Sequence, residues 1–329
     1  MTASRLTGLP LTSLGIGGAQ FGNLFRETTD DETIAAVDAA WERGIRYFDT
    51  APHYGLGLSE KRMGLALRDR PRDEYVLSTK AGRLLEPNPG GESALDDDGF
   101  IVPAATRRVW DFSRDGIRRS IHESLGRLGV DRIDIAYLHD PDDHWAAAST
   151  TGLDALSELR DEGVVGAIGV GMNQAEMPAD FIRLRDIDVV MIAGRYTLLD
   201  RTAERELLPL ALEHDVAIVA AGVYNSGLLS SPDVPTDARF NYSQAPQALI
   251  DGARDMAALC REFGTTLPEA AVQFALRHPA VQSVVLGART VEHVVSGVER
   301  AETPNPDELW ALLDARAAAL TEIAAETDR

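Results

Sequence analysis

Short runs of β-branched and other apolar residues alternate with longer segments in which apolar positions recur every three to four residues. The first pattern is that of buried strands and the second that of amphipathic helices. The strand pattern falls at Leu14–Gly17, Tyr47–Asp49, Tyr75–Lys80, Ile133–Leu138, Ala167–Val170, Val189–Ile192, Ala217–Ala220 and Val284–Leu286. The helix pattern falls at Asp30–Arg43, Glu60–Leu67, Ser113–Leu128, Leu153–Glu162, Ala175–Arg185, Ala203–His214, Leu249–Phe263 and Val291–Val298. Thr29-Asp30-Asp31-Glu32 puts a hydroxyl acceptor and negative charge at the start of the first helix, and Gly44 follows its end.

Regular alternation of strand and helix predicts a parallel sheet. Eight such units, with no Pro/Ser-rich linker between halves, predict α/β architecture in one closed (β/α)8 TIM barrel rather than a two-domain doubly wound sheet. A single domain over residues 1–329 is expected. Arg5–Leu11, with Gly8 and Pro10 as turn formers, is expected to form a hairpin closing the barrel bottom, and Pro306–Ala325 an extra helix outside it. Two insertions, Ala81–Phe112 and Ala221–Gln247, break the rhythm. Both follow strand C-termini and so overhang the end where barrel enzymes carry their sites.

Composition narrows the function classes. With 44% hydrophobic and 26% charged residues the chain can build an ordinary globular core. Its 52 acidic against 32 basic residues give a net charge of −20, which opposes binding to nucleic acid or to an anionic membrane surface. Cys260 is the only cysteine, so no intrachain disulfide forms; its place in a helix predicts a packing role. Met1–Pro10 lacks a signal core and no apolar run reaches the roughly 18 residues of a membrane span, which predicts a cytoplasmic setting.

Chemistry concentrates at three successive strand ends. Tyr47-Phe48-Asp49 ends in a carboxylate with Tyr54 five residues on, Leu77-Ser78-Thr79-Lys80 ends in an amine, and Tyr137-Leu138-His139-Asp140 ends in an imidazole and a carboxylate. Neighbouring strands lie about 4.8 Å apart, so Asp49, Lys80 and His139 are expected to converge with Tyr54 on one small site. A phenol near pKa 10 becomes a useful proton carrier only if lowered by about 2 units, and a nearby ammonium supplies that scale. A Tyr of this kind moves a proton while something else moves a hydride, which implies a nicotinamide cofactor. No metal is expected: Leu14-Gly15-Ile16-Gly17-Gly18 holds no ligand, and Asp96-Asp97-Asp98 reads as a solvated loop. Asp140, Asp142, His53 and Asn173 are instead candidate partners for substrate hydroxyls, with Trp110 and Trp145 as candidate faces for a sugar ring.

These residues, with Phe48-Asp49-Thr50-Ala51 and Tyr54-Gly55, resemble the signature of the aldo-keto reductase superfamily over nearly the whole chain. Gly22-Asn23-Leu24-Phe25-Arg26, Pro52-His53-Tyr54-Gly55-Leu56-Gly57 and Leu138-His139-Asp140-Pro141-Asp142 resemble the branch holding D-threo-aldose (L-fucose) 1-dehydrogenases and pyridoxal 4-dehydrogenases. The resemblance implies an oxidoreductase whose catalytic residues are Asp49, Tyr54, Lys80 and His139. It also implies a small-molecule substrate, a sugar or pyridoxal, and leaves the oligomeric state open. Asn225-Ser226-Gly227-Leu228 looks like the superfamily's pyrophosphate loop, and Tyr224 stands near the position of its nicotinamide-stacking aromatic. Gly17 and Asn173 are further candidate cofactor contacts. Gly287 and His293 stand where the 2′-phosphate cations usually lie, so only Arg289 remains and NAD is expected over NADP. General aldehyde reduction and a non-enzymatic cofactor-binding subunit are the alternatives to aldose or pyridoxal oxidation.

Overall fold

The computed structural model describes residues 6, 9–241, 243–302 and 304–327. In chain order its strands are β1 (Leu14–Gly17), β2 (Tyr47–Asp49), β3 (Val76–Ala81), β4 (Arg83–Pro87), β5 (Thr106–Trp110) and β6 (Ile133–His139). They continue as β7 (Val165–Met172), β8 (Val189–Ala193), β9 (Ala217–Ala221), β10 (Arg239–Phe240), β11 (Ser243–Gln244) and β12 (Val281–Gly287). Eight of these, one for each predicted strand, close a parallel barrel in the order β1-β12-β9-β8-β7-β6-β3-β2.

Side chains alternate across a strand with period two, and that rule builds the interior. Tyr47, Val76, Ile135, Tyr137, Ala167, Val189, Met191, Ala217, Val219 and Val285 form a core inside the barrel. Their sequence neighbours, among them Phe48, Leu77, Ala136, Leu138, Val190 and Val284, join the larger core between barrel and helices. Counting on by two from Tyr47 reaches Asp49, from Val76 reaches Ser78 and Lys80, and from Ile135 reaches Tyr137 and His139. The polar groups are therefore inward-facing residues at the C-terminal ends of their strands, above an apolar plug.

Of the hairpin expected at Arg5–Leu11, residues Arg5, Thr7 and Gly8 lie outside the described residues. Leu6, Leu9 and Leu11 pack against the inner core and close it from below. The C-terminal helix is Asp307–Glu326, packed against the helix Gln247–Glu262. Three elements were not expected. The helix Leu267–Ala275 is short, almost wholly apolar and buried nearly all round; Thr266 and Glu269 close a capping box at its start. The first insertion folds back as the antiparallel hairpin β4–β5, and the second carries the short hairpin β10–β11. No helix among the described residues is long and apolar enough to cross a membrane.

Candidate active site

At the C-terminal end of the barrel lies a cavity of about 800 Å³, walled by residues from every barrel strand or the loop that follows it. Asp49, Tyr54, Lys80 and His139 all line it. The Lys80 ammonium donates to Asp49 Oδ2 at 2.6 Å and to the Thr50 carbonyl at 3.0 Å. Both members of the pair are almost wholly enclosed, 3% exposed each. Burial opposes the Lys80 charge, but the Asp49 carboxylate and the Tyr54 phenol outweigh it and hold the amine above its ordinary value. Beneath them Ser78 Oγ donates to Asp49 Oδ1 at 2.7 Å, and the Tyr47 and Tyr137 hydroxyls meet at 3.1 Å. Burial drives both of those phenols upward, so they stay neutral and serve as hydrogen-bond supports.

Tyr54 sits on the turn between β2 and the helix Leu58–Leu67. Its ring centroid is 4.7 Å from Lys80 Nζ and it hydrogen-bonds that amine. The turn is fixed by close backbone packing. Gly55 has φ +63°, and a Cβ there would fall 2.2 Å from the Gly22 carbonyl oxygen, so only glycine fits. His139 lies edge-on to Tyr54, centroids 6.0 Å apart. Burial, then the charges of Arg83 and Lys80, push its imidazole well below the ordinary value, so it is neutral at pH 7. His53 is also neutral, lowered to about 2 by burial and by Arg83 and Arg108.

Other expected contacts divide. Gly17, Asn173, Tyr224, Asn225, Ser226, Gly227 and Gly287 line the cavity, as do His53 and Asp140. Leu228 does not: its side chain is fully buried in the outer core. Arg289 lines the cavity, but its guanidinium donates to the carbonyls of Leu24 (2.6 Å), Arg26 (2.9 Å) and Gln20 (3.4 Å) and to Thr28 Oγ1. It ties two loops together and is not an open cation for a phosphate. His293 lies outside the cavity, its Nδ1 accepting from the Arg289 amide at 3.3 Å.

Neither tryptophan stands as expected. Trp145 packs on Phe181 at 4.7 Å, behind the wall. One face of Trp110 carries the Arg83 guanidinium at 4.3 Å, and its ring stacks on Phe112. Asp142 is bonded by Gln174 at 2.9 Å. Asp96 is not solvated: Arg108 holds both its oxygens, at 2.6 and 3.0 Å.

The first insertion supplies Arg83, Asp98, Gly99 and Phe100 to the cavity wall, and two of these, Phe100 and Arg83, stand against the catalytic groups and were missed. Phe100 is buried against His53 and Tyr54, at 5.3 and 6.2 Å between centroids. Arg83 bonds His53 Nδ1 at 3.2 Å and the Asp140 carboxylate. The sequence signals were faint: an aromatic following the polar run Asp96-Asp97-Asp98-Gly99, and a cation three places beyond Lys80.

The aldo/keto reductase family model matches residues 13–318. The chain is 49% identical over 314 residues to D-threo-aldose 1-dehydrogenase of a Pseudomonas species, covering 94% of this chain and 95% of that one. It is 38% identical over 324 residues to pyridoxal 4-dehydrogenase of Microbacterium luteolum, covering 93% and 94%. Among solved structures, the holo form of an aldo-keto reductase from Bacillus halodurans aligns with TM-score 0.73 at 29% identity, over 93% of this chain and 92% of that one. The glycerol dehydrogenase of Gluconobacter oxydans aligns with TM-score 0.77 at 26% identity, over 94% and 92%.

Proposed function

The chain belongs to the aldo/keto reductase family of NAD(P)-dependent oxidoreductases, and from that premise we propose that it oxidises the anomeric carbon of a free aldose, of the L-fucose or D-threo type, to the lactone. The observation that carries this reading is the meeting of Tyr54, Lys80, Asp49 and His139 in one cavity whose rim holds hydrogen-bonding groups, in a chain so like an aldose dehydrogenase.

A nicotinamide cofactor, when bound, supplies the hydride acceptor. The cavity suits it. Gly17, Gly171, Ala193, Ala221 and Gly287 keep the wall low. Gln20 Oε1 and Asn225 Oδ1, both buried, have no hydrogen-bond partner among the described residues, so a ligand with hydroxyl or amide donors would relieve them. The turn at Asn225-Ser226-Gly227, with φ of 45°, 56° and 98°, would carry part of the cofactor's length. Arg289 is already occupied by loop oxygens, which favours NAD over NADP, because a 2′-phosphate dianion would find no open Arg at that position.

In oxidation Tyr54 takes the proton of the C1 hydroxyl as the C1 hydrogen leaves with its electron pair, and C1–O becomes the lactone carbonyl. Lys80 holds the phenolate form of Tyr54, and Asp49 holds Lys80 charged and oriented. Neutral His139 orients the substrate oxygen by a hydrogen bond without adding charge. Asp140, Asn173 and His53 meet the remaining hydroxyls. Pyridoxal, which also exists as a cyclic hemiacetal, is the second reading, favoured by the similarity to a pyridoxal 4-dehydrogenase. The test incubates L-fucose, related aldoses and pyridoxal with NAD or NADP, following reduced cofactor by absorbance and the product by NMR. Lactone formation faster with NAD is expected; turnover confined to pyridoxal would reject the aldose reading.

A further inference from the structure

The hairpin β4–β5 is docked on the turn that carries Tyr54 by two arginines. Arg108 Nη2 donates to the His53 carbonyl at 2.9 Å, and Arg83 Nη1 donates to His53 Nδ1 at 3.2 Å. A ring nitrogen that accepts from a guanidinium carries no proton, so the His53 hydrogen is on Nε2. The other arm of Arg83 bonds Asp140 Oδ2, and the guanidinium plane is clamped over Trp110, its partner in the β4–β5 register. Asp140 itself has φ +40° and is pinned by its amide to the Gly171 carbonyl at 2.9 Å. A left-handed non-glycine residue at a cavity edge is a conformation that surrounding contacts must enforce.

We propose that Arg83 is a positioning residue for the reaction: it fixes His53 and Asp140 beside the Tyr54 phenol and adds a second positive charge, after Lys80, to the field in which that phenol loses its proton. This rests on the reading of Tyr54 as proton carrier. The groups facing Tyr54 are Asp49 from β2, His53 from its own turn, Lys80 from β3, Arg83 from β4, and His139 and Asp140 from the end of β6; Asp98 and Arg108 stand behind His53. His53 and His139 are neutral, and Asp49 offsets much of the Lys80 charge at 2.6 Å. Arg83 with Asp140 is a second ion pair facing the phenol, and it leaves a net charge there when either partner is removed. Burial raises the Asp140 carboxyl to about 6 against the pull of Arg83, so the carboxylate form predominates across the alkaline range in which the phenol is titrated.

The sign follows. Removing Arg83 leaves an uncompensated carboxylate near the phenol and makes its proton harder to lose. Neutralising Asp140 leaves an uncompensated cation and makes it easier. The experiment measures the pH profile of kcat/KM for oxidation, between pH 7 and 10.5, in Arg83→Met, Arg83→Lys and Asp140→Asn, with NAD binding by fluorescence as the check on folding. Arg83→Met is expected to move the rise in activity to higher pH by at least about half a unit, and Asp140→Asn to lower pH. Arg83→Lys is expected to keep a near-parental profile while KM for the sugar rises several-fold, because charge is retained and the planar fork is lost. An unmoved profile in Arg83→Met, or shifts of the same sign in Arg83→Met and Asp140→Asn, would overturn the proposal. Full turnover in Tyr54→Phe would instead overturn the reading of Tyr54 beneath it.

Discussion

Tyr54→Phe removes one oxygen and leaves the ring that packs on Phe100 and His139. General acid–base groups contribute roughly 10² to 10⁴-fold, so kcat should fall by that order while NAD affinity is unchanged. Stopped-flow measurement of cofactor reduction, with a parallel binding titration, separates the two effects. Near-parental turnover would show that the proton leaves by another group. Asp49 and Lys80 are different in kind. Each is 3% exposed and bonded to the other at 2.6 Å, so deleting either strands a buried charge, with a penalty on the order of 3 to 5 kcal/mol. Loss of activity in those variants therefore mixes chemistry with stability, and Tyr54 is the clean probe.

Among the elements, the loop after β1 and the loop after β12 depend on one side chain. The Arg289 guanidinium meets Gln20, Leu24, Arg26 and Thr28, all on the first of those loops. Arg289→Ala should leave carbonyls there unpaired and destabilise by about 2 to 3 kcal/mol, given 1 to 3 kcal/mol for each buried group left without a partner. Urea unfolding reads that loss. NAD and NADP binding should weaken together, whereas a residue serving only the 2′-phosphate would affect NADP alone. This element also shows where sequence reasoning stops. The barrel strands were legible as short apolar runs, Asp49, Lys80 and His139 as the polar ends of three successive runs, and Tyr54 as the phenol five residues beyond Asp49, in a set that resembles the superfamily signature. Arg289 was legible as a cation near the cofactor, but not that Leu24 and Arg26 would consume it, since that pairing joins positions more than 260 residues apart. Arg83 and Phe100 were hidden for the same reason: the fold-back of β4 on β5 decides where they point. The helix Leu267–Ala275 was missed because it is short and almost wholly apolar, with only Glu269 and Gln273 to mark a polar side.

On the scale of the whole molecule, the barrel gathers residues from all its strand ends around a cavity of about 800 Å³, sealed below by aromatic and aliphatic side chains and open above to an acidic exterior. The floor of the site is charged and paired, and its rim is rich in groups that exchange hydrogen bonds. A polyhydroxylated ring satisfies such a rim. A small aldehyde makes none of those added hydrogen bonds, each worth about 0.5 to 1.5 kcal/mol. The most direct test is therefore the ratio of specificity constants for NAD-dependent oxidation of L-fucose and NADH-dependent reduction of a small aliphatic aldehyde, measured on one preparation. The expected ratio favours the sugar by at least about tenfold, equivalent to about 1.4 kcal/mol of differential transition-state binding; a ratio favouring the aldehyde would contradict the assignment of this cavity to an aldose.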